Sequence, residues 1–238
     1  MAGIKPPAQL ALDFRWNDAA DLDAFVALGN EQAVAAVAAL DTPAAQSLYL
    51  AGPPGSGRSH LLQAACGRIS AAGGSAVYVP LAEHVTAPVT RLEGLEHLDL
   101  VALDDLDQLA GRADWQEGVF HLYNRLQAAG GLLAVTAAAA PAGLGLGLAD
   151  LASRLEALLR LRLSAADDER RRRILAAALA RRGLDLPAAS VAYLLRHQAR
   201  DPGHLMRVVE RLDAASLQAG RRLTIPFIKS VLAGQPRD

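Results

Sequence analysis

An eight-residue stretch around position 55 has the residue types and spacing of a phosphate-binding loop (P-loop). It reads Gly52-Pro53-Pro54-Gly55-Ser56-Gly57-Arg58-Ser59 and is followed by His60. Glycines let consecutive backbone N–H groups wrap a β-phosphate, and the start of the next helix adds the positive end of a dipole. Ser59 is placed to put its hydroxyl on Mg²⁺. The stretch predicts nucleotide binding, although a Gly-rich strand-to-helix turn without a ligand has the same pattern.

One position departs from the P-loop pattern. Arg58 stands where such loops carry lysine. Arginine is bulkier, planar and always protonated, so it does not reproduce the placement of a lysine between the β- and γ-phosphates. The residues alone leave open a working hydrolase, a binding module without turnover, or a coincidence of glycines.

A pair of acidic residues follows the loop about 45 residues downstream. The apolar run in "LDLVALDDLDQL" ends there at Asp104 and Asp105. In P-loop folds the strand-end acid lies beside the phosphate loop and holds Mg²⁺, directly or through water. The next acid can orient the attacking water. Strand-end acids also occur simply where loops start, but together with the loop this spacing predicts Mg²⁺ at Ser59 and Asp104.

The elements that must position these residues are a parallel sheet and its helices. Near-continuous apolar runs that alternate with helical or loop segments are typical of strands covered on both faces. Five such runs occur, at Ser47–Ala51, Ala76–Leu81, Leu98–Leu103, Leu132–Thr136 and, more weakly, Leu159–Leu163. After Ser164 only helical patterns follow. We therefore predict an α/β domain over residues 21–163, an all-helical domain over 164–238 and a flexible tail over 1–20.

Composition and charge narrow the setting. With 52% hydrophobic but only 4% aromatic residues, the chain favours Ala- and Leu-rich helices. One cysteine, Cys66, excludes an internal disulfide and indicates a reducing cytoplasm. No apolar run reaches the ~18 residues that span a bilayer, so we expect no membrane partner.

Charge is unevenly distributed between the two halves of the chain. Residues 1–153 hold 7 basic and 16 acidic residues, whereas 154–238 hold 17 and 9. The basic half could meet a polyanion or an acidic protein. For the run Arg170–Arg173, a solvated helix face is at least as good an interpretation.

Several motifs resemble the Hda family, regulatory inactivators of the bacterial replication initiator DnaA and members of the AAA+ ATPases. The similarity is carried by "GRSHLL", "LVALDDL", "VFHLYNRL", "GLGLADLASRLEALLRLRL" and "LTIPFIKSVL", in this order over nearly the whole chain. It implies an AAA+ five-stranded parallel sheet flanked by helices and a small C-terminal helical lid domain. "FVALGNEQAV" is similar to the family's lead-in "FVxGxN", which borders the adenine pocket and includes Phe25.

The resemblance also assigns two interaction sites. "QLALDF", with Gln9, Leu10, Leu12 and Phe14, resembles the peptide with which clients dock into the DNA polymerase III sliding clamp (β subunit). Arg154 in "LASRL" matches the family's arginine finger, which acts on nucleotide bound by a neighbouring subunit. Without the resemblance, Arg154 would be an ordinary surface arginine paired with Glu156 or Asp150.

Two departures from the family pattern bear on hydrolysis. Thr136 is present, but Ala138 stands where the family commonly has an acid. Gly203 stands where a sensor arginine is usual, with Arg200, His204 or Arg207 as candidate substitutes. Single charged contacts to a transition state can be worth about 2–4 kcal/mol of barrier, so we expect weak or no hydrolysis in the chain's own pocket.

The resemblance implies a negative regulator of replication initiation. Bound to the loaded clamp, it would stimulate hydrolysis of DnaA-bound ATP, while its own pocket holds ADP or ATP with Mg²⁺. A homo-oligomer is left open, and sequence-specific DNA binding is not expected. Two alternatives remain: a DnaA-family adaptor that does not trigger hydrolysis, and an independent P-loop ATPase or kinase.

Overall fold

The computed structural model describes residues 20–198, 201–220 and 222–233, and its central element is a five-stranded parallel sheet. The strand order is β2-β3-β4-β1-β5. The strands are β1 (Leu48–Ala51), β2 (Ala76–Pro80), β3 (Leu100–Asp104), β4 (Leu132–Ala137) and β5 (Leu159–Arg162). Because β1 lies between β4 and β5, and β4 lies beside β3, the carboxyl ends of β1, β3 and β4 meet at one edge.

Nine α-helices surround and follow this sheet in the described part of the chain. The sheet is flanked by α1 (Glu31–Ala38), α2 (Arg58–Ala71), α3 (Leu81–His84), α4 (Ala113–Ala129) and α5 (Ala149–Glu156). The C-terminal helices are α6 (Asp168–Arg181), α7 (Ala188–Gln198), α8 (Pro202–Ala219) and α9 (Ile225–Leu232). The predicted fold class, an α/β sheet followed by a helical lid, is confirmed.

The two faces of the sheet pack against different helices. Alternate strand residues point to opposite faces, so Leu48 and Leu50 pack with α1 and α2. Tyr49 points the other way and packs with α4 and α5. Cys66 on α2 is fully buried in the first of these clusters, as expected for a small apolar residue.

The lid has a hydrophobic core of its own. Its buried residues come from α6 to α9, and they include Leu175, Leu194, Leu205 and Ile228. The Asp167 side chain caps α6 by accepting from the backbone N–H of Arg170 at 2.7 Å. Capping of this kind satisfies an otherwise unpaired helix N–H and fixes where the helix starts.

The third strand begins later than its apolar run suggests. The sequence predicts Leu98–Leu103, but β3 starts at Leu100 and includes Asp104. Leu98 instead closes a 3-10 turn over Leu95–His97. The Asp99 carboxylate accepts from the backbone and hydroxyl of Ser75, which holds the chain in a turn before the strand. A side-chain hydrogen bond to a distant segment is not visible in local hydropathy.

Candidate nucleotide-binding site

The phosphate loop leaves β1 at the carboxyl edge of the sheet. The Gly52 N–H donates to the Ala137 carbonyl at 3.0 Å, which ties the loop to the end of β4. Gly57 has φ 98° and directly precedes α2, so the first N–H groups of a 14-residue helix face the loop. A Cβ at Gly57 would lie 2.5 Å from Cε2 of Phe25, so only glycine fits here.

A cavity of about 790 Å³ lies between the loop and the lid, a size that suits a small-molecule cofactor. The predicted residues in its wall are Phe25, Gly55, Ser56, Gly57, Arg58, Ser59 and His60. Gly52, Pro53, Pro54, Asp104, Asp105 and Thr136 are described by the structure but lie outside this wall. The structure therefore brings Phe25 of the lead-in and the second half of the loop together in one cavity.

The rings of Phe25 and His60 lie side by side in the wall of this cavity, with centroids 5.5 Å apart. His60 Nε2 lies 2.9 Å from the Asp21 carbonyl oxygen. Burial lowers the pKa of His60, because the imidazolium loses hydration there. The pair thus presents an aromatic surface, which suits a purine ring.

The lid supplies the opposite wall. Gly203, at the start of α8, has no side chain to offer, but Nη1 of Arg207 lies 3.6 Å from where its Cβ would be. Arg207 lines the cavity, whereas His204 is paired with Gln198 through Nε2 and Oε1 at 2.8 Å. Arg200 lies outside the described residues. Of the candidates for the missing sensor arginine, Arg207 is therefore the one that the structure places at the site.

A hydrogen-bonded network occupies the strand ends behind the loop. Asp104 is 4% exposed, and its carboxylate accepts from the Tyr78 hydroxyl at 2.6 Å and from the Thr136 hydroxyl. The Thr136 oxygen accepts in turn from the Asp105 N–H at 2.9 Å. Asp105 has φ 59°, a left-handed conformation that is uncommon for residues other than glycine and that asparagine and aspartate adopt most readily. The network fixes this backbone and directs the Asp105 carboxylate toward the loop.

Arg58 and Asp105 form an ion pair, with Nη2 2.9 Å from Oδ1. Burial and the neighbouring Asp104 charge raise the pKa of Asp105, and the Arg58 charge partly offsets this. Arg58 Nη1 is buried and has no acceptor among the described residues. The guanidinium thus binds the Asp105 carboxylate through Nη2, while Nη1 can still donate to a ligand.

The donors around the loop fit Mg²⁺ that arrives with a nucleotide. Ser59 lines the cavity with a hydroxyl, and the Asp104 oxygens keep lone pairs beyond the two hydrogen bonds they accept. Hard oxygen donors of this kind suit Mg²⁺. Among the described residues no group of three or more His, Cys, Asp or Glu side chains could hold a metal. Phosphate oxygens would therefore have to complete the coordination.

Ala138, where the family commonly has an acid, contributes only backbone. Its N–H donates to the Asp107 carboxylate at 2.8 Å. Asp107 comes from the 3-10 turn Leu106–Leu109 that follows β3. A carboxylate is thus present at the end of β4, but it is held by a backbone hydrogen bond.

Arg154 lies away from the cavity. It is exposed in the last turn of α5, on the sheet face opposite α2. Its Cζ lies 5.9 Å from the Tyr123 ring centroid. Within the described chain no ion pair joins it to Asp150 or Glu156. The exposed guanidinium therefore projects from a helix that is packed against the sheet through Leu151 and Leu155.

Comparison with known proteins identifies the family. The model of the bacterial DnaA ATPase domain matches residues 17–164, and that of the Hda lid domain matches 167–232. The chain belongs to the bacterial DnaA ATPase-domain family. The two matches confirm the resemblance and identify a DnaA-related AAA+ replication protein that carries an Hda lid.

Solved structures share the fold. Domain III of the Thermotoga maritima replication initiation protein DnaA is 20% identical with a TM-score of 0.78, covering 92% of this chain and 98% of that one. AMPPCP-bound DnaA from Aquifex aeolicus is 23% identical with a TM-score of 0.71, covering 85% of this chain and 67% of that one. The Thermotoga maritima RuvB branch migration motor is 14% identical with a TM-score of 0.64, covering 88% of this chain and 69% of that one.

The clamp-docking peptide stays a prediction, because Gln9, Leu10, Leu12 and Phe14 lie outside the described residues. No helix in residues 20–198, 201–220 and 222–233 has the length and hydropathy to cross a membrane.

Sequence reasoning missed Arg170. Arg172 and Arg173 are exposed and Arg171 is half-buried, and all three pair with Asp168 or Glu169. Arg170, by contrast, is 3% exposed and reaches the phosphate loop. The signal was its helical spacing from Ile174 and Ala178, which share the inner face of α6.

Proposed function

We propose that this protein is a negative regulator of replication initiation that stimulates hydrolysis of ATP bound to DnaA. In this role it docks on the DNA-loaded sliding clamp in the cytoplasm through the peptide Gln9–Phe14. It then meets ATP-bound DnaA and supplies Arg154 to the pocket of its neighbour. Loss of ATP from the initiator prevents a second round of initiation.

The placement of Arg154 carries this proposal. A finger that acts in trans must be exposed, must be held by a rigid element and must not be neutralised by its own chain. These requirements fit Arg154, because α5 is packed through Leu151 and Leu155, the guanidinium lies near the Tyr123 ring, and no ion pair with it occurs among the described residues. Such an arginine stabilises charge that develops on the transferred phosphoryl group.

The chain's own pocket is proposed to hold a nucleotide as a structural element. Phe25 and His60 would hold the base, and the loop N–H groups would hold the phosphates with Arg58 Nη1 as a further donor. Ser59 and Asp104 would hold Mg²⁺, which when bound neutralises phosphate charge. ADP is favoured over ATP, because Ala138 and Gly203 stand where the family commonly has charged residues near the γ-phosphate.

Turnover in this pocket is proposed to be weak. Asp105, which could orient a water molecule, is paired with Arg58 at 2.9 Å. Ala138 and Gly203 replace two charged sensor positions with small residues. Each change removes or diverts a contact that would strengthen in the transition state.

The test is a reconstituted assay with DnaA loaded with radiolabelled ATP, sliding clamp on nicked DNA, and this protein. We expect rapid conversion to DnaA-bound ADP only when both loaded clamp and this protein are present. Binding of clamp and DnaA with the ATP left intact would favour the adaptor. Robust ATP turnover by this protein alone would favour an independent P-loop enzyme.

A further inference from the structure

We propose that Arg170 is a positioning residue through which the lid holds the phosphate loop in its nucleotide-binding shape. The proposal rests on nucleotide binding in the cavity, as proposed above, and adds a residue that controls it. Arg170 sits in the first turn of α6, where the lid begins.

The Arg170 guanidinium joins three separate segments. Nε donates to the Val26 carbonyl at 3.0 Å, in the lead-in beside Phe25. Nη1 donates to the Ser164 carbonyl at 3.0 Å, at the connection between sheet and lid. Nη2 donates to the Ser56 carbonyl at 3.2 Å, in the middle of the phosphate loop. A planar fork of donors is suited to fixing several carbonyls at once.

The Ser56 contact has a direct consequence for ligand binding. In a planar trans peptide the C=O and the following N–H point in opposite directions. No cis peptide occurs in the described chain. Because Arg170 holds the Ser56 carbonyl, it also fixes the direction of the Gly57 N–H in the same peptide plane. Arg170 therefore orients one of the N–H groups that would wrap a phosphate.

The burial of the Arg170 charge costs free energy of folding, so its hydrogen bonds to the loop and lead-in have to offset a desolvation penalty. The residue is 3% exposed, and no ion pair with it occurs among the described residues. Burial lowers its pKa, with Asp167 and Glu31 acting in the opposite sense, yet arginine stays charged in proteins. A buried charge without a close counter-ion is expensive. A purely packing role would be filled more stably by an apolar side chain.

A second lid contact lies next to the first on the loop. A Cβ at Gly55 would lie 2.9 Å from Oδ1 of Asp201 and 3.1 Å from Cδ of Pro202. Asp201 also caps α8 by accepting from the N–H groups of Gly203 and His204. The lid thus touches the loop at two consecutive residues, Gly55 and Ser56. Of these contacts, the Arg170 hydrogen bond is the one that sets the orientation of a peptide plane.

The binding test compares Arg170→Gln, Arg170→Lys and the exposed control Arg173→Ala in the full chain. Titration calorimetry with ADP is carried out below the melting temperature of each variant. We expect Arg170→Gln to raise the Kd for ADP about tenfold or more, which corresponds to a loss of about 1.4 kcal/mol of binding free energy. Lysine lacks the planar fork, so Arg170→Lys should also weaken binding, whereas Arg173→Ala should stay within about twofold of the original chain. A folded Arg170 variant with unchanged affinity would overturn the proposal.

Hydrogen exchange separates this proposal from nucleotide binding itself. In the ligand-free protein, amides in the segment 55–59 should exchange about tenfold faster in Arg170→Lys, while those of β3 stay protected. If the original chain binds no ADP, nucleotide binding by the pocket fails, and the exchange result alone decides the role of Arg170. Equal exchange of segment 55–59 in Arg170→Lys and in the original chain would contradict the proposal. The β3 amides are the internal control, because a general loss of stability would speed up their exchange as well.

Discussion

At the scale of single residues, the P-loop arginine is the most informative departure. Arg58 retains the positive charge of the usual lysine, but its Nη2 lies 2.9 Å from Oδ1 of Asp105 and forms an ion pair with it. The same contact occupies the carboxylate that could orient water. One substitution therefore changes two parts of the pocket, since the arginine side chain reaches the end of β3.

Removing the carboxylate should free Arg58 for the ligand. We expect Asp105→Asn to tighten ADP binding by about 1 kcal/mol, the scale of a partly exposed ion pair, which is about fivefold in Kd. Titration calorimetry measures the change, and Asp114→Asn, whose carboxylate is exposed next to Arg112, serves as the control. Weaker binding in Asp105→Asn would show that the ion pair supports the ligand.

At the scale of elements, the site depends on how the loop passes from β1 into α2. Gly57 takes a positive φ of 98° and packs against the Phe25 ring. These two constraints link the phosphate end of the cavity to the base end. A change at this glycine should therefore affect both ends.

We expect Gly57→Ala to weaken ADP binding at least about tenfold, because the left-handed backbone costs about 1–2 kcal/mol and the new methyl displaces Phe25. Gly67→Ala in α2, the helix that follows Gly57, is the matched control, since its Cβ would have nothing within 4 Å. That change should leave binding unaltered and stabilise the fold by about 0.5–1 kcal/mol. Calorimetry and thermal unfolding measure both effects, and normal binding by Gly57→Ala would contradict the described loop geometry.

At the scale of the whole molecule, apolar runs predicted the five strands, and the helical patterns predicted the lid. Alternation along β1 explains why this worked, because Leu48 and Leu50 must face one layer and Tyr49 the other. The sequence also identified the loop and the acids at the end of β3. It could not show the Arg58–Asp105 pair or the reach of Arg170, because both depend on contacts between segments about 47 and 114 residues apart. Local periodicity carries no information on such distances.

The proposed clamp contact depends on the N-terminal peptide and not on the nucleotide pocket. We expect Gln9→Ala with Leu12→Ala to weaken binding to the sliding clamp more than about tenfold, since a few anchor side chains dominate such interfaces. ADP affinity should not change. Surface plasmon resonance on immobilised clamp measures the loss, with Lys5→Ala as a control outside the motif. Retained clamp binding by the double variant would place the contact elsewhere.

The most direct test of the central claim is single-turnover hydrolysis of DnaA-bound ATP in the presence of loaded clamp, with Arg154 varied. We expect Arg154→Ala to lower the stimulated rate constant by about 10³-fold or more, the scale of an arginine finger, or down to the rate of DnaA alone. Arg154→Lys should recover little, because it lacks the planar fork. The control Arg173→Ala should stimulate hydrolysis of DnaA-bound ATP at the same rate as the original chain. Full stimulation by Arg154→Ala, with clamp and ADP binding intact, would contradict the claim that this chain acts through Arg154.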